Sequence, residues 1–113
     1  LNLIYTSMSY EPVDINLSRI SHLKQKFKLP VGYGHHYKNL NPFILSTFFK
    51  PSFYFFYIKG FFKSSKIVYP DDKHAFLIKD LNKLNDLIVE SSVIANNKKN
   101  NTSIKLDDKN IQI

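Results

Sequence analysis

Leu29-Pro30-Val31-Gly32-Tyr33-Gly34-His35-His36 stops a helix, runs through a very short strand and opens a glycine-loosened loop bearing two adjacent histidines. Just upstream, Leu17, Ile20, Leu23 and Phe27 recur at three- and four-residue steps, which predicts a helix with one apolar face. Asp14 is suited to cap its start, and Lys24, Lys26 and Lys28 suit the negative end of its dipole. Further upstream, Leu3-Ile4-Tyr5-Thr6-Ser7-Met8 is rich in β-formers and is closed by Ser9-Tyr10-Glu11-Pro12, which reads as strand and loop.

Downstream, residues 40–49 read as a second helix with Pro42 tolerated in its first turn. Phe53-Tyr54-Phe55-Phe56-Tyr57-Ile58 is an unbroken apolar run between Lys50-Pro51 and Lys59-Gly60, as expected of a strand buried on both faces. A polar loop over residues 63–73 precedes a last helix at 77–94, with Leu81, Leu84, Leu87 and Ile88 inward. From Asn96 the periodicity dissolves into Asn and Lys. Residues 1–95 are thus the folded segment and 96–113 a polar tail or linker.

Strand and helix alternate three times, which predicts an α/β fold with parallel strands near 3–8, 30–34 and 53–58. Three such units leave sheet edges and faces uncovered, and the chain starts at Leu1 rather than Met. The expectation is a fragment of a longer chain. No signal peptide is visible, and the aromatic stretch at 41–62 is split by Lys50-Pro51 into runs about half the ~20 residues a membrane span needs. No membrane segment is expected. The absence of Cys excludes disulfides, thiolate zinc sites and a cysteine nucleophile, and fits a reducing, cytoplasmic setting.

The net charge of +7 is concentrated in residues 13–70, which carry nine basic groups against one acidic. Such a body can meet nucleic acid, anionic lipid or phosphorylated small molecules. Fifteen of the sixteen basic residues are Lys and only Arg19 is Arg, which argues against bidentate readout of bases or phosphates. A Lys-, Asn- and Ile-rich composition of an AT-biased genome accounts for the same charge.

In α/β folds, function gathers at the carboxyl ends of strands, where His35 and His36 fall. Adjacent strand residues point to opposite sides, so at most one of the two faces a shared site. That imidazole could ligate a divalent metal or move a proton; a pair of exposed loop histidines is the plainer alternative. His22, beside the apolar face of the first helix, reads as structural. Pro70-Asp71-Asp72-Lys73-His74 groups two carboxylates, an ammonium and an imidazole, suited to a polar substrate or metal, or to a solvated turn. Gly32 and Gly34 give G-x-G without the third glycine of a phosphate cradle, and no G-x-S-x-G elbow occurs.

Leu3-Ile4-Tyr5-Thr6-Ser7, Val13-Asp14-Ile15-Asn16-Leu17 and Leu29-Pro30-Val31-Gly32-Tyr33-Gly34-His35-His36 together resemble the sialic acid synthase family. That family embraces N-acetylneuraminate, legionaminate and pseudaminate synthases, which carry a C-T-S…D-V-N-L…L-P-V-G-Y-S-D-H progression. Ile58-Lys59-Gly60-Phe61 is similar to its I-E-K-H-F, and Pro70-Asp71-Asp72-Lys73 with Asp80-Leu81 to its G-P-D-H-K…E-L. The resemblance covers roughly residues 3–90. It implies the last three βα units of a TIM barrel, hence a partial barrel of three consecutive units.

It further implies a metal-dependent transferase that condenses phosphoenolpyruvate with an N-acetylmannosamine-type sugar in nonulosonic acid biosynthesis, with Mn or Mg polarising the sugar aldehyde. His36 would be a metal ligand; Asp71 and His74 are the substrate-contacting candidates by the chemistry of their own cluster. The family's second metal histidine falls at Gly60 and its sugar-contacting Glu at Ile58. The barrel's first half, with the basic residues that bind phosphoenolpyruvate, is not in this chain. The expectation is therefore a chain inactive alone, whose partner is the remainder of a longer barrel. A small basic binding module that contacts an acidic partner or nucleic acid is the alternative.

Overall fold

The structure, a computed structural model, describes residues 1–60 and 73–96. Strand β1 (Leu3–Ser7) pairs in parallel with β2 (Val31–His35), in register from Leu3 opposite Val31 to Ser7 opposite His35. The crossover between them contains helix α1 (Ser18–Phe27). On the other side of β2 the chain returns in parallel once more. Ser52 N–H donates to the Val31 carbonyl (2.7 Å), Tyr33 N–H to Phe53 (3.0 Å) and Phe55 N–H to Tyr33 (2.9 Å), around a bridge between Tyr33 and Tyr54. Two residues further on, β3 (Ile58–Lys59) pairs in parallel with β4 (Phe76–Leu77). Every described strand pairing is parallel. The fold is α/β.

The period of two along the strands decides what is buried. Val31 and Tyr33 point to the helix side, where they meet Ile20 of α1, Phe43 of α2 (Asn41–Ser46), and Leu84 and Ile88 of α3 (Leu81–Asn96). Phe43 is the hub of this core, with ring centroids 4.7 Å from Phe56, 5.3 Å from Tyr33, 5.9 Å from Phe76 and 6.1 Å from Tyr54. Such offset and edge-on aromatic contacts add to the simple burial of area.

Pro42 sits in the first turn of α2, where its missing N–H costs nothing, and a 3-10 turn, Thr47–Phe49, prolongs the helix. Two lysines end helical segments in the left-handed conformation, Lys28 after α1 and Lys50 after that turn, both at φ 53°. Neither is Gly or Asn, so each stop carries a small steric cost. The Lys24 ammonium donates to the Lys50 carbonyl, which ties the two stops together. Burial, with Lys50 as a second cause, lowers the Lys24 pKa.

Four expectations are corrected. Asp14 does not cap α1: it lies in a separate 3-10 turn, Pro12–Asp14, and accepts from Ser9 Oγ at 2.6 Å, while α1 begins only at Ser18. Residues 53–58 are not buried on both faces, since Phe55 is 46% exposed. Their pairing is split between the bridge at Tyr54 and β3, because the run has two successive neighbours, β2 and then β4. The last helix does not start at 77: Phe76 and Leu77 form β4 and a 3-10 turn, Ile78–Asp80, intervenes. At the other end α3 runs to Asn96, whose Nδ2 donates to the carbonyls of Thr47 (3.0 Å) and Ser92 (3.1 Å), so the folded segment includes the residue expected to open the tail. The rest of that tail and the polar loop up to residue 72 lie outside the described residues. Among the described residues no helix is long and apolar enough to cross a membrane.

Gly32 shows how closely the strands' other face is packed. A Cβ there would meet the Phe53 ring at 2.2 Å. Gly32→Val is therefore expected to cost about 1–3 kcal/mol of stability, as overpacking does. Chemical denaturation checks this, and restoration of stability by an added Phe53→Ala would identify the ring as the cause.

Candidate functional site

The parity that sends Tyr33 to the helix side sends His35 there too and His36 to the opposite side. Both are buried, at 2% and 8% exposure, so they are not the pair of exposed loop histidines that the sequence left open. His36 follows β2 directly and is held by β1: its backbone N–H donates to the Ser7 carbonyl at 3.2 Å, and its Nδ1 lies 3.2 Å from the same oxygen. A carbonyl only accepts, so Nδ1 carries the proton and Nε2 the lone pair in the neutral ring. The Tyr57 hydroxyl, 3.3 Å from Nε2, is placed to donate to it.

His74, two residues before β4 and 3% exposed, lies edge-on to His36 with ring centroids 4.4 Å apart. Tyr57 packs against both imidazoles, at 5.1 Å from His36 and 4.6 Å from His74. Tyr10, from the loop after β1, places its hydroxyl 3.0 Å from His74 Nδ1. The carboxyl end of β1, the carboxyl end of β2, the lead into β3 and the lead into β4 thus converge on two imidazoles and two phenols. Among the described residues no group of three or more His, Asp or Glu could hold a metal. The cluster is suited to hydrogen bonding between phenol and imidazole, with both imidazoles buried and the Tyr10 phenol open to solvent.

His35 has a different setting. Its ring lies against Phe43 with centroids 4.1 Å apart, and its Nδ1 is 2.9 Å from the Tyr33 hydroxyl. Burial, and to a lesser degree Tyr5, pushes the Tyr33 phenol up, so it stays protonated. Burial lowers the His35 pKa to about 4; the Asn39 and Tyr37 backbone opposes this, while His74 and His36 add to it. Its Nε2 is buried and makes no hydrogen bond of sound geometry among the described residues. His35 is a neutral core imidazole.

Of the residues singled out in the sequence, His36 and His74 come together. Asp71 lies outside the described residues. Gly60, which the resemblance would set at a metal histidine's place, is exposed, and a Cβ there would meet nothing within 4 Å among the described residues. His22 is exposed on α1 rather than packed in a structural role. Ser7, Tyr10 and Tyr57 were not anticipated. No local signal marks Tyr57: only the pairing of Tyr54 with Tyr33 brings it level with His36. No protein-family model and no curated protein matches this sequence.

Proposed function

We propose that this chain is the C-terminal part of a TIM barrel of sialic acid synthase type, three consecutive βα units of a cytoplasmic protein that is inactive without the rest of its barrel. The observation that supports this reading most is His36. It closes the Leu29-Pro30-Val31-Gly32-Tyr33-Gly34-His35-His36 stretch at the carboxyl end of a parallel strand, with its ring anchored on the neighbouring strand's Ser7 carbonyl. In the family such a histidine would hold a divalent metal that polarises a sugar aldehyde toward attack by phosphoenolpyruvate.

The residues present do not fit that metal. Mn and Mg favour oxygen donors, whereas this cluster offers two imidazoles and neutral phenols, and Gly60 contributes no side chain. His36, Tyr57 and His74 remain as a polar corner against which a sugar hydroxyl or carbonyl could be hydrogen-bonded.

The purified chain is expected to give no detectable condensation of phosphoenolpyruvate with N-acetylmannosamine, even with manganese supplied. Manganese is expected to bind no more tightly than the millimolar range, roughly −4 kcal/mol. Turnover that is lost in His36→Ala would show that the fragment suffices, and low-micromolar manganese binding abolished by the same change would reinstate the metal centre. The family reading itself is tested by the coding sequence upstream of Leu1. Further βα units are expected there, and an unrelated start would favour the basic binding module.

A further inference from the structure

The end of the sheet away from the imidazoles gathers the ends of three helical segments. α1 stops at Lys28, just ahead of β2, and the turn Thr47–Phe49 stops at Lys50, just ahead of the Ser52 N–H that donates to Val31. α3 is tied to the same place by Asn96 Nδ2, 3.0 Å from the Thr47 carbonyl. Turns from helix to strand lie on the surface of an α/β fold whether or not further units flank it.

The charge at this end is one-sided. Residues 15–70 contain no Asp or Glu, and α3 carries no charged residue after Glu90. The Lys24 ammonium donates to the Lys50 carbonyl, and the charge of Lys50 adds to burial in lowering the Lys24 pKa. A helix C-terminus offers about half a negative charge. α1 alone ends in Lys24, Lys26 and Lys28, so the positive sign wins. Lys28 and Lys50 also hold the two left-handed positions, where Gly or Asn would sit with less strain. In a chain rich in Asn, lysine at both positions points to a use for the charge.

Apolar side chains stand beside these lysines. Phe27, which precedes Lys28, is 48% exposed; Phe48, two residues before Lys50, is 67% exposed; Ile94, in the last turn of α3, is 75% exposed. Ammonium groups and exposed Phe or Ile together match an anionic lipid surface, where the charges meet headgroups and the apolar groups enter the acyl boundary. Nucleic acid is the poorer match: Ile94 has no ring face for a base, and lysine lacks the bidentate fork. We propose that this end of the fold, through Lys24, Lys28 and Lys50 with Phe27, Phe48 and Ile94, docks on the surface of an anionic lipid bilayer without crossing it. The proposal does not depend on the synthase reading, since it uses only the end of the sheet away from the imidazole cluster.

Flotation of the chain with phosphatidylcholine vesicles that contain about 30% phosphatidylserine tests the proposal. Binding is expected to these vesicles and not to pure phosphatidylcholine, and it should weaken as salt is raised. Lys28→Asn combined with Lys50→Asn removes two charges yet suits the left-handed backbone, so the fold should be unharmed. Partition should fall about 25-fold, roughly fivefold per lysine. Lys79→Gln combined with Lys83→Gln, around the start of α3, removes the same charge elsewhere and should cost less than about threefold. Phe48→Ser changes an exposed side chain and should weaken binding about tenfold. No binding to the anionic vesicles, equal binding to neutral ones, equal losses from the two lysine pairs, or binding untouched by Phe48→Ser would each overturn the proposal. So would displacement of the chain from vesicles by a single-stranded oligonucleotide at equal phosphate concentration, which would assign the patch to nucleic acid.

Discussion

Phe43→Ala is expected to remove about 3–5 kcal/mol of stability, as the loss of a fully buried phenylalanine does. Phe43 is 1% exposed and its ring meets aromatic groups from three segments: Tyr33 and His35 of β2, Tyr54 and Phe56 of the following run, and Phe76 of β4. No neighbour can collapse into the space without giving up another contact. A domain of this size has roughly 5–15 kcal/mol in total, so the variant should be marginal or unfolded at room temperature. Urea denaturation of Phe43→Leu, which keeps much of the volume, provides the graded comparison. A Phe43→Ala protein within about 1 kcal/mol of the parent would mean that the aromatic hub is not packed as described.

Stability is also expected to fall as pH is lowered through the histidine range. The His35 pKa drops from 6.5 to about 4 in the folded chain, mainly by burial. The folded state thus refuses a proton that the unfolded state takes up. Its contribution is complete above the unfolded value and is lost progressively as pH falls from about 6.5 toward 4, by roughly 3 kcal/mol in all. Carboxylates titrate at the bottom of this window, so the informative part of the curve lies above about pH 4.5. His35→Phe should flatten that part, because a phenyl ring can keep the stacking on Phe43 without binding a proton. A stability that stays constant across this range, or a slope unchanged in His35→Phe, would remove His35 from this role.

The alternation of elements was legible because each signal was local. The Leu17, Ile20, Leu23 spacing marks α1, Leu29-Pro30 ends it, and the β-formers at Leu3 and Val31 mark the strands they begin. The errors arose where a tertiary partner overrode a local preference. Asp14 looks like a helix cap in sequence, yet Ser9 competes for its carboxylate. Phe76 and Leu77 look like the start of an amphipathic helix, but two backbone pairings with β3 take them first.

The same division runs through the candidate site. His36 could be placed at a strand end from its flanking glycines and proline. Its contact with His74 could not, because the two are 38 positions apart, with α2 and β3 between them, and no local period spans that distance. Tyr57 was hidden in a run of aromatics where composition alone says only that the segment is buried. The parity of the ladder, set by Tyr33 and Tyr54, is what turns Phe53, Phe55 and Tyr57 to one side and Tyr54 and Phe56 to the other.

The central claim is that the carboxyl end of β2 and the lead into β4 bring His36 and His74, both buried, into ring contact. A nuclear Overhauser spectrum of the aromatic protons tests it most directly, with His74→Gln to assign the signals. At a centroid separation of 4.4 Å, a strong cross-peak is expected between the two imidazoles, together with cross-peaks from both to Tyr57. Independent, freely averaging imidazole signals with no cross-peak between them would contradict the site.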